Sequence, residues 1–236
     1  MKNARTRSYP HLLALGHLWL PLVALLLAGC SGPQLVSFST QDGGMVYADE
    51  YGEGDHAVVL AHGARFNKES WETQARALKK AGFRVVAIDF RGRGKSHGGP
   101  GSESSDDGVY FDVLAAVRYV RETGAKTVSV VGASFGGWAA AQASISAPGE
   151  IDRLVLMAAT VEQPDLLPGR KLFILTREDL RGGGILRLPE IRDQYERTPD
   201  PKELIILEGS AHAQYIFETD QAEWLMREII RFLSEP

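Results

Sequence analysis

Thr127-Val128-Ser129-Val130-Val131-Gly132-Ala133-Ser134-Phe135-Gly136-Gly137-Trp138-Ala139-Ala140-Ala141-Gln142 is the stretch on which the reading of this chain turns. Val128, Val130 and Val131 are β-branched and lie in a short apolar run, the composition of a strand buried on both faces of a parallel sheet. Residues 139–143 are small and alanine-rich and favour a helix able to pack close to a sheet. Between them the chain must reverse from strand to helix within a few residues. Such a reversal strains the backbone at its apex, and the positions two residues either side must be small. Gly132 and Gly136 hold those places. The expectation is that Ser134 projects its hydroxyl above the carboxyl edge of the sheet. The Phe135 N–H, at a helix N-terminus, then lies beside it as a donor for an oxyanion. A G-x-S-x-G pattern alone arises by chance in a chain with 25 glycines. The strand before it and the helix after it supply the specificity.

The rest of the composition narrows the class. The chain has 236 residues, 44% hydrophobic and 24% charged, which suits one globular domain with a substantial core. A net charge of -4 makes no case for nucleic acid. Six histidines without paired helical spacing, and a single cysteine, argue against a bound metal and against a disulfide framework. No cofactor is expected.

The first 29 residues read as a leader. Lys2, Arg5 and Arg7 make a basic opening, and residues 18–28 form an apolar run too short to span a membrane comfortably. The run ends in Leu27-Ala28-Gly29-Cys30, which resembles the lipobox of bacterial lipoproteins. That resemblance implies lipidation at Cys30, a membrane-anchored place in the bacterial envelope and, in a Gram-negative cell with Ser31 following, the outer membrane. A plain signal peptide or an uncleaved anchor is the alternative.

Taken in order, residues 35–39 and 45–48 read as a hairpin joined by Gln41-Asp42-Gly43-Gly44. Residues 57–61 form a buried strand stopping at His62-Gly63-Ala64-Arg65. Residues 68–81 place Trp71, Ala75 and Leu78 on one helical face, with Gly82 as C-terminal cap. Residues 83–88 are another strand, ending in Asp89. Residues 91–107 form a glycine- and serine-rich loop. Val109, Val113, Val117 and Val120 then recur at helical spacing over residues 107–123. Strands follow at 154–159, 172–176 and 204–207, and a last helix at about 220–233. This alternation predicts a mostly parallel sheet of about eight strands covered by helices on both faces, with the ligand site at the carboxyl ends of the strands.

With these marks in place the chain resembles an α/β-hydrolase over nearly everything after Cys30. The marks are His62-Gly63, the run Asp89-Phe90-Arg91-Gly92-Arg93-Gly94-Lys95-Ser96, the Gly132–Gly136 turn and Gly209-Ser210-Ala211-His212. Residues 30–236 then form a single α/β-hydrolase domain. The family order of serine, acid and histidine falls on Ser134, an acid after the 172–176 strand, and His212. Elimination supports His212. His11 and His17 belong to the leader, His56 precedes a strand, His62 lies in the oxyanion turn and His97 in the glycine-rich loop. A serine hydroxyl is a weak nucleophile, so an imidazole must take its proton and return it to the leaving group.

For the acid, Asp179 fits best, with Glu178 as the live alternative and Asp165 the weaker one. The family usually shows a Gly-x-x-Asp step here, and Thr176 stands in place of that glycine. Asp89 is expected to brace loop backbone. The second oxyanion donor is expected to be the Ala64 N–H, facing that of Phe135. Arg65 either meets an acidic group of the substrate or is a solvated loop residue.

Only residues 160–171 intervene where many relatives insert a cap, so the site is expected to be open. Residues 91–107, 161–170 and 181–201 would form its rim. Such a site suits a short acyl ester or an acyl group borne on a polymer. The same triad on amides, peptides or thioesters, or a non-catalytic lipoprotein scaffold on this fold, are the other readings. The oligomeric state is left open.

Overall fold

The computed structural model of the chain describes residues 32–101 and 108–235. The residues expected to form a leader, Cys30 and part of the glycine-rich loop lie outside the described residues. In chain order the elements are β1 (Gln34–Ser39), β2 (Met45–Tyr51), β3 (His56–Ala61), α1 (Glu72–Lys80), β4 (Arg84–Ile88), α2 (Val109–Glu122), β5 (Thr127–Ala133), α3 (Phe135–Ser146), β6 (Arg153–Met157), β7 (Arg170–Thr176), β8 (Leu180–Arg181), β9 (Ile185–Leu186), α4 (Leu188–Arg197), β10 (Lys202–Leu207) and α5 (Ala222–Ser234). No described helix is long and apolar enough to cross a membrane.

Eight strands form one sheet in the order β1-β2-β4-β3-β5-β6-β7-β10, and β8 pairs only with β9. The pairs β1–β2 and β2–β4 are antiparallel and every later pair is parallel. The predicted α/β-hydrolase sheet is therefore present, with an antiparallel edge where the hairpin was expected. Valines at 58, 59, 85, 86, 128 and 130 are wholly buried, which is why these short runs form central strands.

Parallel strands joined through helices cross over right-handedly. The step from β3 to β4 goes one way along the sheet, and the step from β4 to β5 passes back over β3. Helices α1 and α2 therefore lie on opposite faces. The reversal falls between β3 and β5, whose ends are paired as Ala61 with Gly132. Ligands of such sheets bind at this reversal, outside the carboxyl ends.

Two parts of the chain differ from the sequence reading. Residues 188–197, expected as part of a rim, form helix α4. Pro189 stands in its first turn, and Ile191 and Gln194 are buried beneath it. Residues 68–71 form a 3₁₀ turn capped by Asn67 before α1 proper begins. The connection between β6 and β7 holds only a short 3₁₀ turn at Pro164–Leu166, so no cap is built there.

The loop after β4 is held by a buried cation. Arg91 donates to Asp112 of α2 at 2.7 Å and to Asp42 of the β1–β2 turn at 2.7 Å, and its own N–H donates to Asp112 at 2.8 Å. The Asp112 side chain is fully buried. Removing one partner of such a group strands the other charge in a poor solvent. Arg91→Ala should therefore cost about 3–5 kcal/mol of folding stability. The shift of the urea midpoint measures it; a loss within the ordinary surface range would contradict this role.

Candidate active site

The turn between β5 and α3 has the strained geometry its sequence requires. Ser134 sits at φ 50° and ψ −112°, a conformation that L-residues rarely adopt. Its own N–H donates to the Met157 carbonyl at 2.8 Å, and its carbonyl accepts from the Trp138 N–H at 3.0 Å. A Cβ on Gly132 would lie 2.5 Å from the Gly136 carbonyl oxygen, and one on Gly136 would collide with the Ala61 carbonyl. Only glycines let the helix start this close to the ends of β3 and β5. Phe135 is the first residue of α3, so its N–H belongs to the set with no intrahelical acceptor.

Two further strand ends deliver the partners of Ser134. His212 follows β10, and its Nε2 lies 2.8 Å from Ser134 Oγ while its Nδ1 lies 2.7 Å from Asp179 Oδ2. A carboxylate can only accept, so Nδ1 carries the hydrogen and Nε2 is left to accept from the serine hydroxyl. Asp179 is 1% exposed. Its other oxygen makes no hydrogen bond and faces Arg187 Nε at 3.6 Å.

The alternatives for the acid are placed elsewhere. The Glu178 side chain is exposed while its N–H donates to the Gly209 carbonyl at 2.9 Å, and Asp165 pairs on the surface with Arg197 at 3.1 Å. Thr176 has a local task. Its hydroxyl donates to the Ala211 carbonyl at 3.0 Å, which ties the end of β7 to the loop carrying His212. Asp89 accepts the Lys68 N–H at 2.8 Å, bracing backbone after β3 rather than the loop of its own motif.

The turn after β3 is fixed from three sides. His62 Nδ1 donates to the Gly63 carbonyl at 2.8 Å, and its Nε2 accepts from the Phe90 N–H at 3.3 Å. The same Gly63 carbonyl accepts from the Phe66 N–H at 2.9 Å. Because the peptide group is planar and trans, holding this carbonyl directs the N–H of Ala64 the opposite way. The Gly63 N–H is already taken by Gln214 Oε1 at 2.7 Å, and Gln214 Nε2 donates in turn to Ser70 Oγ at 2.9 Å. The Ala64 N–H is thus turned away from the held Gly63 carbonyl, as expected of the second donor, and Arg93 holds the Ala64 carbonyl. Gln214 was not singled out from sequence, since nothing local marks its partner 151 positions away.

Ser134, His212 and Ala64 open into one cleft of about 310 Å³, walled also by Phe66, Leu180 and Tyr215. Among the described residues, none of the stretches 91–107 and 161–170 lines it, contrary to the expected rim; β8 contributes instead. Arg65 lines the cleft and is exposed, with no ion pair among the described residues.

The family model described as serine aminopeptidase, S33, matches residues 52–181. A 2-hydroxy-6-oxononadienedioate/2-hydroxy-6-oxononatrienedioate hydrolase from Pseudomonas sp. is 32% identical over 117 residues, 48% of this chain and 40% of that protein. Its counterpart from Burkholderia vietnamiensis is 33% identical over 122 residues, 50% of this chain and 41% of the other. The match thus spans about two fifths of the length of these relatives. Among solved structures, an esterase from Pyrococcus furiosus superposes with a TM-score of 0.72 at 21% identity, over 85% of this chain and 91% of that one. A meta-cleavage product hydrolase from Pseudomonas fluorescens gives 0.68 at 17%, over 84% and 96%.

Two histidines outside the triad set a pH limit on the fold. Burial pushes His62 down to about 4 from 6.5, and His56, bonded to Ser129 Oγ at 2.8 Å, is likewise pushed to about 4 by burial. The unfolded chain takes up protons below pH 6.5 that the folded chain refuses until about 4. Stability should therefore hold above pH 6.5 and fall across the window from 6.5 to about 4, with His62 alone accounting for about 3 kcal/mol. Urea midpoints followed through that window test this; a level profile would contradict it.

Proposed function

We propose that this chain, which belongs to the serine aminopeptidase S33 family of α/β-hydrolases, is a serine hydrolase cleaving carboxylic esters through an acyl-enzyme on Ser134. The observation that carries the reading is the unbroken line from Asp179 through His212 to Ser134, 2.7 and 2.8 Å, at the floor of an uncovered cleft. In this reading Ser134 Oγ attacks the acyl carbonyl as His212 Nε2 removes its proton. The N–H groups of Ala64 and Phe135 receive the oxyanion, and the buried Asp179 carboxylate offsets the charge gained by the imidazole. His212 then protonates the departing alcohol, and water repeats the sequence to release the acid. No step calls for a cofactor.

A second reading is hydrolysis of an acidic, ketone-bearing substrate, and Arg65 favours it. It is a cation lining the cleft without an ion pair among the described residues, and the curated relatives are named for dioate substrates. The family description, an aminopeptidase, keeps amides within the same chemistry. For place, the reading is a lipid on Cys30 that holds the domain at a membrane of the bacterial envelope, the outer one in a Gram-negative cell. It rests on the basic start, the apolar run and Leu27-Ala28-Gly29-Cys30. A lipoprotein carrying more than one acyl chain anchors stably.

Purified protein without its leader should hydrolyse p-nitrophenyl acetate, with little change on adding EDTA. Ser134→Ala and His212→Ala should each lose several orders of magnitude in kcat, because the triad acts as a unit. Asp179→Asn should lose roughly 10⁴-fold and Glu178→Gln little. The reverse ranking would move the acid to Glu178. A Ser134→Ala protein that keeps near-normal rates would overturn the assignment, as would failure of the wild type to react with a fluorophosphonate.

Anchoring has its own test: fractionation of cells expressing wild type and Cys30→Ser, with labelled palmitate followed in both. Label and membrane association should be lost together in the variant. Membrane association of an unlabelled wild type would mean an uncleaved anchor.

A further inference from the structure

Immediately after the acid of the triad the chain forms a hairpin with no other sheet neighbour. It reads Leu180-Arg181-Gly182-Gly183-Gly184-Ile185-Leu186-Arg187. Leu180, Ile185 and Leu186 are 52%, 51% and 45% exposed. Single exposed aliphatic residues need no explanation, but three on one projecting hairpin beside a reactive cleft do. The hairpin is held at its base, where the Arg187 N–H donates to the Asp179 carbonyl at 2.9 Å, and at its flank, where Arg181 reaches Glu190 of α4 at 3.0 Å.

Register decides which way the aliphatic groups face. Leu180 is opposite Leu186, and Arg181 is opposite Ile185. Residues directly opposite in an antiparallel pair share one face, and neighbours along a strand take the other. Leu180 lines the cleft with Ser134 and His212. Leu186 therefore shares the hairpin face of Leu180, next outward from the cleft-lining residue, while Ile185 shares the face of Arg181, which reaches α4. Phe66 and Tyr215, their rings 5.0 Å apart, line the same cleft.

We infer that the Leu180–Leu186 face is the binding surface for an apolar chain on the acyl group. It selects medium-length aliphatic acyl substrates over acetyl ones. This rests on the serine-hydrolase reading above. It deepens that reading by naming the acyl class, since Leu180 lines the cleft and shares its hairpin face with Leu186, and among the described residues the β6–β7 connection builds no cap.

The test uses an ethyl and an octyl fluorophosphonate on the full chain. Both react by one step. Ser134 Oγ forms a bond to phosphorus, the phosphorus–fluorine bond breaks, His212 takes the hydroxyl proton and fluoride leaves. Wild type should label faster with the octyl probe. Leu186→Ser should cut the octyl-to-ethyl rate ratio roughly tenfold, the scale of one lost methylene contact in an apolar site. Ile185→Ser, which removes equal apolar surface from the opposite face, should leave the ratio alone.

A ratio unmoved by Leu186→Ser, or moved as much by Ile185→Ser, overturns the inference. So does a Leu186→Ser protein that changes only its oligomeric state in gel filtration or its binding to phosphatidylcholine vesicles. The lip would then be covered by a second copy or a bilayer. A wild type that shows the chain-length ratio yet turns over no p-nitrophenyl ester leaves the lip standing and removes the ester reading. A wild type that labels with neither probe overturns both.

Discussion

The close approach of helix α3 to the ends of β3 and β5 is the constraint on which the rest depends. Gly132 and Gly136 carry no side chain because the Ala61 carbonyl and the first turn of the helix occupy that space. The same approach puts Ser134 at a positive φ and sets the helix N-terminus beside the turn after β3. Had either glycine a side chain, the helix would begin farther out. The serine would then lose both its exposure and its neighbouring N–H groups. The strain at Ser134 is held by its backbone bonds to Met157 and Trp138 and by the close approach of Gly132 and Gly136, which is how such conformations persist.

Around that point the site is a set of strand ends held in register by bonds between their loops. β7 brings Asp179, β10 brings His212 and β3 brings Ala64. Thr176 to Ala211, Glu178 N–H to Gly209 and Gln214 to Gly63 cross between them. Each cross-link joins backbone that would otherwise be free to move relative to its neighbour, so the 2.7 and 2.8 Å contacts of His212 are set by several bonds rather than by the imidazole itself.

Much of this was legible because it is local. The valine runs, the Gly132–Gly136 turn, and the histidine placed by elimination all read from short stretches, and the sheet follows from their alternation. What escaped depends on partners far away. Asp42, Arg91 and Asp112 come together only when the β1–β2 turn, the loop after β4 and helix α2 converge. Gln214 is unremarkable until the turn after β3 arrives beside it. Thr176 looked like a departure from the Gly-x-x-Asp habit because its carbonyl partner, Ala211, is supplied by another strand end. Helix α4 did carry local signals, Leu188-Pro189 with Ile191 and Tyr195 at helical spacing, inside a stretch expected only as part of a rim.

The short β6–β7 connection has a kinetic meaning as well as a steric one. With only a 3₁₀ turn between β6 and β7, no described element of that connection covers the path into the cleft. The cleft that Ser134 lines is uncovered on this side. In the proposed mechanism, an acyl group carried on Ser134 would meet water as the nucleophile in greatest excess. On that reading, release of the acid is favoured over transfer of the acyl group to a second alcohol.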